Sequence, residues 1–459
     1  MMMRHNWKLP WEMLPTIFAL AWPTMLEQLL QTAVQYIDTA MVGTLGTQAT
    51  AAVGATTTVN WLVNSTISAL GIGFLSFVSQ ACGAGDRQKV GRASAQAVLT
   101  VLVCGLLFTG LTLGFSGFVP VWMRVDPGIR PLAAQYFFIL YTPMLFRTAT
   151  IIFGTLLRAV GDSKTPMRVG LLVNLVNIVL NFLLIYPARN WMGIPIWGAG
   201  WGVIGAAAAS AASFAVGGIC MTLVFWKHPV ISPREQTLRP DFEILRPCLK
   251  VALPNALQRF GTSLGYVAFA SMINSIGEVA TAAHTIANTV ESAFYIPGYG
   301  MQTAAATLAG NALGAKDNRR AGNLAQMIIS VEVVLMTVSG GLLFAFAPQM
   351  MHLFSQDAQV IVLGAIVLRM VALSEPFYGV AIIIEGMMQG MGNTMRPFLY
   401  SIGSMWGIRI VGTFLCTQLL GMGLVSAWAC MIGHNMVLFT AFLGCYLSGG
   451  WNPMNRKKQ

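Results

Sequence analysis

The sequence predicts an all-α polytopic membrane protein with twelve transmembrane helices, arranged as two six-helix lobes that form a tandem 6+6 pseudo-repeat. Hydrophobic residues make up 56% of the 459 residues and charged residues only 9%, whereas a soluble domain has about 25% charged residues. Such a chain has too little charge to cover a surface in water, so lipid must surround most of it. The apolar segments, each long enough to cross a bilayer, are centred roughly on residues 28, 65, 104, 145, 176, 213, 260, 296, 334, 375, 408 and 436.

The chain contains two copies of one pattern, separated by 231 residues (254 − 23). Matching positions include Pro23 and Pro254, Leu26 and Leu257, Gly83 and Gly314, and Asp86 and Asp317. Two like-oriented copies of a helical bundle are an architecture of many secondary transporters, which bind their substrate between the copies. We therefore predict an N-lobe over residues 1–225, a proline-rich cytoplasmic linker over 226–250 and a C-lobe over 251–459.

The distribution of basic residues predicts the topology. Predicted loops on the side of the N-terminus carry most of the Lys and Arg residues, whereas the opposite loops carry Arg124, Arg130 and Arg189. Positive residues accumulate on the cytoplasmic side of membrane proteins, so we predict a multi-pass protein of the inner (plasma) membrane with both termini in the cytoplasm. The net charge of +11 then reflects topology. It does not indicate a nucleic-acid partner, because the basic residues do not form one patch with interleaved aromatics.

No cofactor, resident metal or catalytic centre is predicted from the sequence. The seven cysteines lie mostly in apolar segments without CxxC spacing, which argues against a metal cluster or a disulfide framework. There is no G-x-x-x-x-G-K-[ST] phosphate loop, so transport by this chain alone would draw on an ion gradient. A membrane-embedded enzyme would need convergent catalytic groups or a metal set such as His-x₃-His, and neither occurs.

Polar residues inside the first predicted helix form the richest candidate site. Glu27, Gln31, Gln35 and Asp38 are spaced by 4, 4 and 3 residues, which places them in one stripe along a helix. Ionisable residues inside a membrane span are costly and are functional candidates by default. A lone carboxylate among carboxamides is suited to bind Na⁺ or to hold a proton. Asp38 is therefore the principal candidate for ion binding.

Further polar residues lie in other predicted spans. Helix two carries Asn60 and Asn64, helix five carries Asn174, Asn177 and Asn181, and the C-lobe carries Gln258, Glu291 and Glu375. The glutamates suit a cationic substrate or a proton relay. Equally, the amides could simply hydrogen-bond between helices, and the glutamates could pair with Arg147, Arg259, Arg369 or Arg409. The C-lobe position that matches Asp38 is Phe269, so a single cation site in the N-lobe is expected.

These motifs resemble the multidrug and toxic compound extrusion (MATE) transporters, and the resemblance covers essentially the whole chain. The matching pieces are Asp38-Thr39-Ala40-Met41-Val42-Gly43, the Ala-Ala-His run Ala282–His284, the turn Gly83–Asp86, and Leu157-Arg158-Ala159-x-Gly161-Asp162 with Pro166. The resemblance implies a bacterial exporter of cationic, amphipathic drugs and dyes. It would work as an antiporter with H⁺ or Na⁺ through rocking of the lobes (alternating access). Its expected partners are these substrates and the lipid bilayer, and we expect a monomer.

The resemblance also implies an ion site. The family's N-lobe cation site would fall on Asp38, Asn177 and Asn181, with Ser210 of helix six as a further candidate and Na⁺ as the possible metal. A sodium-coupled subgroup carries acids in helices seven and ten, where this chain has Thr262 and Tyr378. The chain is therefore closer to the subgroup with the N-lobe site alone, which leaves the coupling ion open.

Other membrane proteins fit less well. A major-facilitator carrier also has twelve helices in two copies, but its loop motif after helix two differs in spacing from residues 83–92. A flippase for a lipid-linked saccharide should have more arginine or lysine in its cavity. A passive channel would not need a single buried acid.

Overall fold

The computed structural model describes residues 10–123, 125–191 and 194–458, and helices dominate these ranges. All twelve predicted centres fall within helical segments, so the predicted all-α polytopic fold is confirmed. Arg124, one of the three basic residues of the predicted outer loops, lies outside the described residues.

The helices are α1 (Leu14–Gly43), α2 (Thr47–Gly83), α3 (Arg87–Gly114), α4 (Val119–Trp122), α5 (Arg130–Tyr141), α6 (Met144–Ala159), α7 (Lys164–Leu184), α8 (Val203–Lys227), α9 (Phe242–Asn274), α10 (Glu278–Gly314), α11 (Asn318–His352), α12 (Ala358–Ala372), α13 (Glu375–Gly390), α14 (Met395–Ser404), α15 (Val411–Thr413) and α16 (Leu424–Leu447).

Two predicted spans are bent helix pairs. The pair α5 and α6 bends by 48°, and the pair α12 and α13 bends by 53°. Pro143 and Pro376 lie at these breaks, where a missing amide N–H interrupts the helical hydrogen bonds. The eleventh span, Met395–Leu419, is one helix with two π-helical stretches, Met405–Ile410 and Phe414–Leu419.

Within the described ranges, seven helices are individually long and apolar enough to cross a membrane, or up to nine when each bent pair is taken as one span. The helices α1, α9 and α10 are 30, 33 and 37 residues long but less apolar. They carry the polar residues that form the candidate sites described below, and these residues lower their hydropathy.

The described residues form two compact units. Unit 1 contains the described part of Met1–Met25 together with Leu75–Asp86 and Lys250–Gln459, and unit 2 contains Leu26–Phe74 and Arg87–Leu249. Helices α1 and α2 are thus each divided between the units. The lobe boundaries taken from the sequence repeat stay a prediction, because these units follow packing and not the repeat.

The core of unit 1 contains two clusters of buried apolar side chains. One joins Ile17 of α1 to Met301 and neighbouring residues of α10, to α11, and to Met388 of α13. The other surrounds Phe269 and Trp428, which are 1% and 0% exposed. These clusters fix the helices that carry the acidic residues of the C-terminal half.

Two glycines of unit 1 show the repeat directly in the packing. A methyl group on Gly83 would collide with the backbone of Asn311, and one on Gly314 would collide with the backbone of Gln80. Gly314 matches Gly83 at the offset of 231 (314 − 83), and Asn311 matches Gln80 (311 − 80). The two matching helix ends therefore cross each other reciprocally, and each copy needs glycine where the backbones touch.

Two local features differ from the sequence expectation. A two-stranded antiparallel sheet, β1 (Pro187–Trp191) and β2 (Ile194–Ala199), pairs Arg189 with Ile196 in the loop before α8. Helix α9 begins at Phe242, so the non-helical stretch after Lys227 is shorter than the predicted linker over 226–250. The stretch is held to α3, because Gln96 Nε2 donates to Arg239 O at 2.7 Å and Arg92 Nη2 pairs with Asp241 at 2.6 Å.

Candidate functional site

Asp38 lies at the centre of a hydrogen-bonded network in unit 2. Asn181 Nδ2 donates to Asp38 Oδ1 at 2.6 Å, a short distance typical of bonds to charged groups. Asn177 and Asn181 lie four residues apart on α7, so both face α1 and are buried, at 5% and 1% exposure. Ser210 of α8 lies 3.1 Å from the Asn177 amide. The network therefore joins three helices through the four residues of the predicted ion site.

The Asn177 amide is best placed with its nitrogen toward Asp38, because its nitrogen then donates to the carboxylate and its oxygen accepts from Ser210. With its nitrogen toward Asp38, it lies 2.8 Å from Oδ1 and 3.2 Å from Oδ2, and it accepts from Ser210 Oγ at 3.1 Å. With its oxygen toward Asp38, it accepts from Asn181 Nδ2 and donates to Ser210 Oγ, both at 3.1 Å. The second orientation brings two oxygens together, which is favourable when Asp38 carries a proton or when a cation lies between them.

The acceptor oxygens of this network exceed its donors. Asn181 Oδ1 is buried and has no hydrogen-bond partner among the described residues. The Asp38 carboxylate and the side-chain oxygens of Asn177, Asn181 and Ser210 are hard oxygen groups of the kind that small cations prefer. This donor set fits Na⁺, and it fits a proton on Asp38 equally well.

The end of α1 next to Asp38 is braced by a tyrosine. Tyr186 Oη lies 3.0 Å from Thr44 Oγ1 and donates to Met41 O at 3.3 Å. Tyr186 follows α7 directly, so the helix that carries both asparagines also holds the last turn of α1. The segment from α7 to Tyr186 thus contacts α1 both at Asp38 and at the last turn of α1.

Glu27 is not part of the Asp38 network, although both lie on the predicted stripe. Arg158 Nη2 of α6 lies 2.7 Å from both Oε1 and Oε2 of Glu27. The two side chains are 12% and 18% exposed, so this is a partly buried ion pair. Gln31 and Gln35 are exposed, and the structure does not bring them to Asp38.

Asn60 of α2 has structural partners in unit 2. Its Oδ1 accepts from Arg147 Nη1 at 2.7 Å and from Tyr141 Oη at 3.0 Å. Arg147 also lies 4.7 Å from the ring centroid of Phe214, a cation–π contact. Asn64 is half-buried, and its backbone carbonyl accepts from Ser68. The amide of Asn60 thus accepts a hydrogen bond from a half-buried arginine.

In the C-terminal half, Gln258 contacts an acid from another helix. Its Nε2 donates to Glu385 Oε1 at 2.8 Å and to Ser401 Oγ at 2.9 Å. Arg259, the next residue, donates to Asn255 Oδ1 at 3.0 Å. Gln258 therefore joins α9 to α13 and α14, the helices that carry these partners.

Glu291 and Glu375 lie in a group of acids that contains a third member, Glu332. All three are buried, at 6%, 1% and 0% exposure. Glu375 interacts electrostatically with both other glutamates. Glu332 is not among the residues that we predicted for the site, although a single acid inside the apolar stretch 327–336 of α11 is the same signal that identifies Glu291.

The position matching Asp38 in the second copy has a different chemistry. The Arg409 guanidinium lies 4.1 Å from the ring centroid of Phe269 and 4.8 Å from that of Tyr266. Thr262 donates to Gln258 O at 2.8 Å, and Tyr378 Oη lies 3.0 Å from Tyr299 Oη. The second copy thus has an aromatic ring and an arginine where the first has Asp38.

Comparisons with known proteins agree with this architecture. The family model MatE matches residues 23–183 and 254–415, one match in each copy of the repeat. The chain is 29% identical to the "Probable multidrug resistance protein NorM" of Thermotoga maritima, over 96% of this chain and 95% of that protein. It is 25% identical to the "Probable multidrug resistance protein YoeA" of Bacillus subtilis, over 95% and 93%.

Solved structures share the fold. An outward-facing multidrug resistance MATE family transporter of the MOP superfamily superposes with a TM-score of 0.88 at 22% identity, covering 96% of both chains. Because the family model matches well over half of the chain and the fold agrees over nearly its whole length, this protein belongs to the MatE family of multidrug and toxic compound extrusion (MATE) transporters.

Proposed function

We propose that this protein is a secondary active exporter of organic cations, which it exchanges for H⁺ or Na⁺ bound at Asp38. The observation that carries the proposal is the network of Asp38, Asn177, Asn181 and Ser210, whose oxygens suit a small cation. The names of the relatives, multidrug resistance proteins, support small-molecule drugs and dyes as substrates. Amphipathic cations are the substrate class we expect.

Ion exchange at Asp38 would change the contacts of α1. With the carboxylate charged, both asparagine amides donate to it and hold α1 to α7. When a proton or Na⁺ neutralises the carboxylate, the Asn177 amide gains from turning its oxygen toward Asp38 and its nitrogen toward Ser210. The ion thereby exchanges one set of hydrogen bonds between α1, α7 and α8 for another, each worth about 1–2 kcal/mol. Such a difference is sufficient to bias an equilibrium between two conformations.

Alternating access would link this exchange to export. The substrate enters from the cytoplasm, and ion binding from the outside favours its release. This direction requires the topology that we propose from the basic residues, a multi-pass protein of the plasma membrane with both termini in the cytoplasm. We propose a monomer, in which each chain carries its own ion site.

Transport into proteoliposomes tests the function and identifies the ion. The purified protein is reconstituted, and uptake or efflux of ethidium is followed while a pH gradient and a Na⁺ gradient are imposed separately. We expect one gradient to drive ethidium uphill and the other to have no effect. Absence of uphill ethidium transport under both gradients, with the protein folded and inserted, would contradict the export of organic cations by antiport and favour a flippase for a lipid-linked substrate.

A further inference from the structure

Glu332 is a buried acid without any hydrogen-bond partner among the described residues. Its side chain lies on α11 at 0% exposure, and both carboxylate oxygens are unpartnered. A charged carboxylate in such surroundings is strongly disfavoured, because neither water nor a donor replaces its hydration. The carboxyl group therefore needs a proton or a cation in this conformation.

Glycines on two neighbouring helices make room for this carboxyl group. A methyl group on Gly298 of α10 would lie 2.7 Å from Glu332 Oε1, and one on Gly379 of α13 would lie 3.1 Å from it. Met336 packs beside both glycines. The pocket around Oε1 is thus apolar and closely fitted, with no space for the several oxygen ligands of Na⁺. A proton needs only the carboxyl oxygen itself.

Glu332 does not stand alone, because Glu375 lies one helical turn before Gly379, the glycine of α13 that packs against Glu332. The Glu375 Cβ atom also lies 3.3 Å from where a methyl group on Gly340 of α11 would be. Glu375 begins α13 at the break in the tenth span, and its Oε2 is also buried without a partner. Among the described residues, no three His, Cys, Asp or Glu side chains are arranged to hold a metal ion. The acids form a chain across α11, α13 and α10, and not a cage around one ion.

The first copy of the repeat does not contain this arrangement. Glu291 matches Asn60 at the offset of 231 (291 − 60), and Asn60 is satisfied by Arg147. The position matching Arg147 is Tyr378 (378 − 147 = 231), which has no positive charge. The second copy therefore replaces an amide and its arginine with an acid that faces other acids.

We propose that Glu332 and Glu375 form a proton-binding site in the C-terminal half, and that a proton moves between them and Glu291. The site belongs to unit 1, whereas the Asp38 network belongs to unit 2, and the proposal does not depend on the role of Asp38. Glu291 is the member that interacts with a cation, Arg409, so it is the member best able to carry the charge. The other ionisable groups on α11 and on the three helices α10, α12 and α13 that pack against it are Arg319, Arg320 and His352 of α11, Glu278, His284, Tyr295 and Tyr299 of α10, Arg369 of α12, and Tyr378 and Glu385 of α13.

Infrared difference spectroscopy of the reconstituted protein tests this site without any substrate or gradient. The C=O stretch of protonated carboxyl groups is recorded as the pH is raised from about 5 to 9, the range in which shifted carboxyl groups titrate. We expect a band that decreases with pH in the wild type and is lost in Glu332→Gln. Glu278→Gln serves as the matched control, because Glu278 is exposed in the first turn of α10. This control should retain the wild-type band.

Two results would overturn the proposal. A Glu332→Gln spectrum equal to that of the wild type at every pH would show that Glu332 holds no exchangeable proton. A band that is lost in Glu332→Gln but is constant with pH in the wild type would show a permanently neutral, structural acid. Should Glu332→Gln fail to fold, Glu332→Asp keeps the carboxyl group and is expected to shift the frequency of the band and its titration midpoint. An unshifted band in that variant would equally contradict the site.

Discussion

Glu27→Gln is predicted to lower the stability of the protein and to leave its affinity for cationic dyes unchanged. The sequence stripe makes Glu27 a candidate for the substrate cavity, but in the structure its two oxygens both lie 2.7 Å from Arg158 Nη2. At 12% and 18% exposure, little water is available to replace the lost partner. Glutamine keeps the volume of the side chain but removes the negative charge that pairs with Arg158.

The size of the effect follows from this burial. Removing one partner of a fully buried ion pair costs about 3–5 kcal/mol, and an exposed pair contributes about 0–1 kcal/mol. The Glu27–Arg158 pair lies nearer the buried limit, so we expect a loss of about 2–3 kcal/mol in the free energy of unfolding. The pair of Arg92 with Glu243, whose carboxylate side chain is 81% exposed, provides the control, and Glu243→Gln should cost less than about 1 kcal/mol.

Thermal unfolding in detergent, combined with dye binding, separates the two roles of Glu27. Glu27→Gln should melt several degrees below the wild type, with an unchanged Kd for ethidium. The double variant Glu27→Gln/Arg158→Gln should lose less stability than the two single variants added together, because the pair is already broken. A Glu27→Gln variant with the melting temperature of the wild type and a tenfold weaker Kd would refute the structural role and restore Glu27 to the substrate site.

Two further predictions concern the ion network and the helix crossing. Asn181→Ala removes the 2.6 Å hydrogen bond to Asp38 and should slow gradient-driven ethidium transport about tenfold, equivalent to about 1.4 kcal/mol. The control Asn174→Ala, on the same helix, should transport at the wild-type rate, and equal rates in the two variants would contradict the network. Gly314→Ala should destabilise the protein by about 1–3 kcal/mol through overpacking. The control Gly322→Ala, where a methyl group meets open space, should have the melting temperature of the wild type. A wild-type melting temperature for Gly314→Ala would contradict the close crossing of the two helix ends.

The sequence predicts the membrane spans well because they depend on local signals, whereas the ion site stays a prediction. A bilayer demands long apolar segments, so hydropathy alone locates the twelve helical segments. The internal repeat predicts matching contacts, and the reciprocal crossing of Gly83 and Gly314 follows it. Asp38 and the Asn177–Asn181 pair each stand out as polar groups at helical spacing, and the structure brings them together.

Other features depend on which helices are neighbours, and a single sequence does not contain that information. Glu27 and Asp38 share one stripe, but α6 supplies an arginine to the former and α7 supplies amides to the latter. Asn60 likewise accepts a hydrogen bond from Arg147, which lies on a different helix. The break in the tenth span brings Glu375 beside Glu332, which no spacing rule along the chain predicts. The hairpin formed by β1 and β2 is short and contains Pro187, which weakens any strand signal.

The role of Asp38 is tested most directly by separating exchange from uphill transport in one variant, Asp38→Asn. Asparagine has nearly the same shape but cannot hold a coupling proton or supply a negative charge to Na⁺. In proteoliposomes, we expect Asp38→Asn to exchange labelled for unlabelled ethidium across the membrane while failing to accumulate it under either ion gradient. Accumulation at the wild-type level in this variant would contradict ion coupling at Asp38.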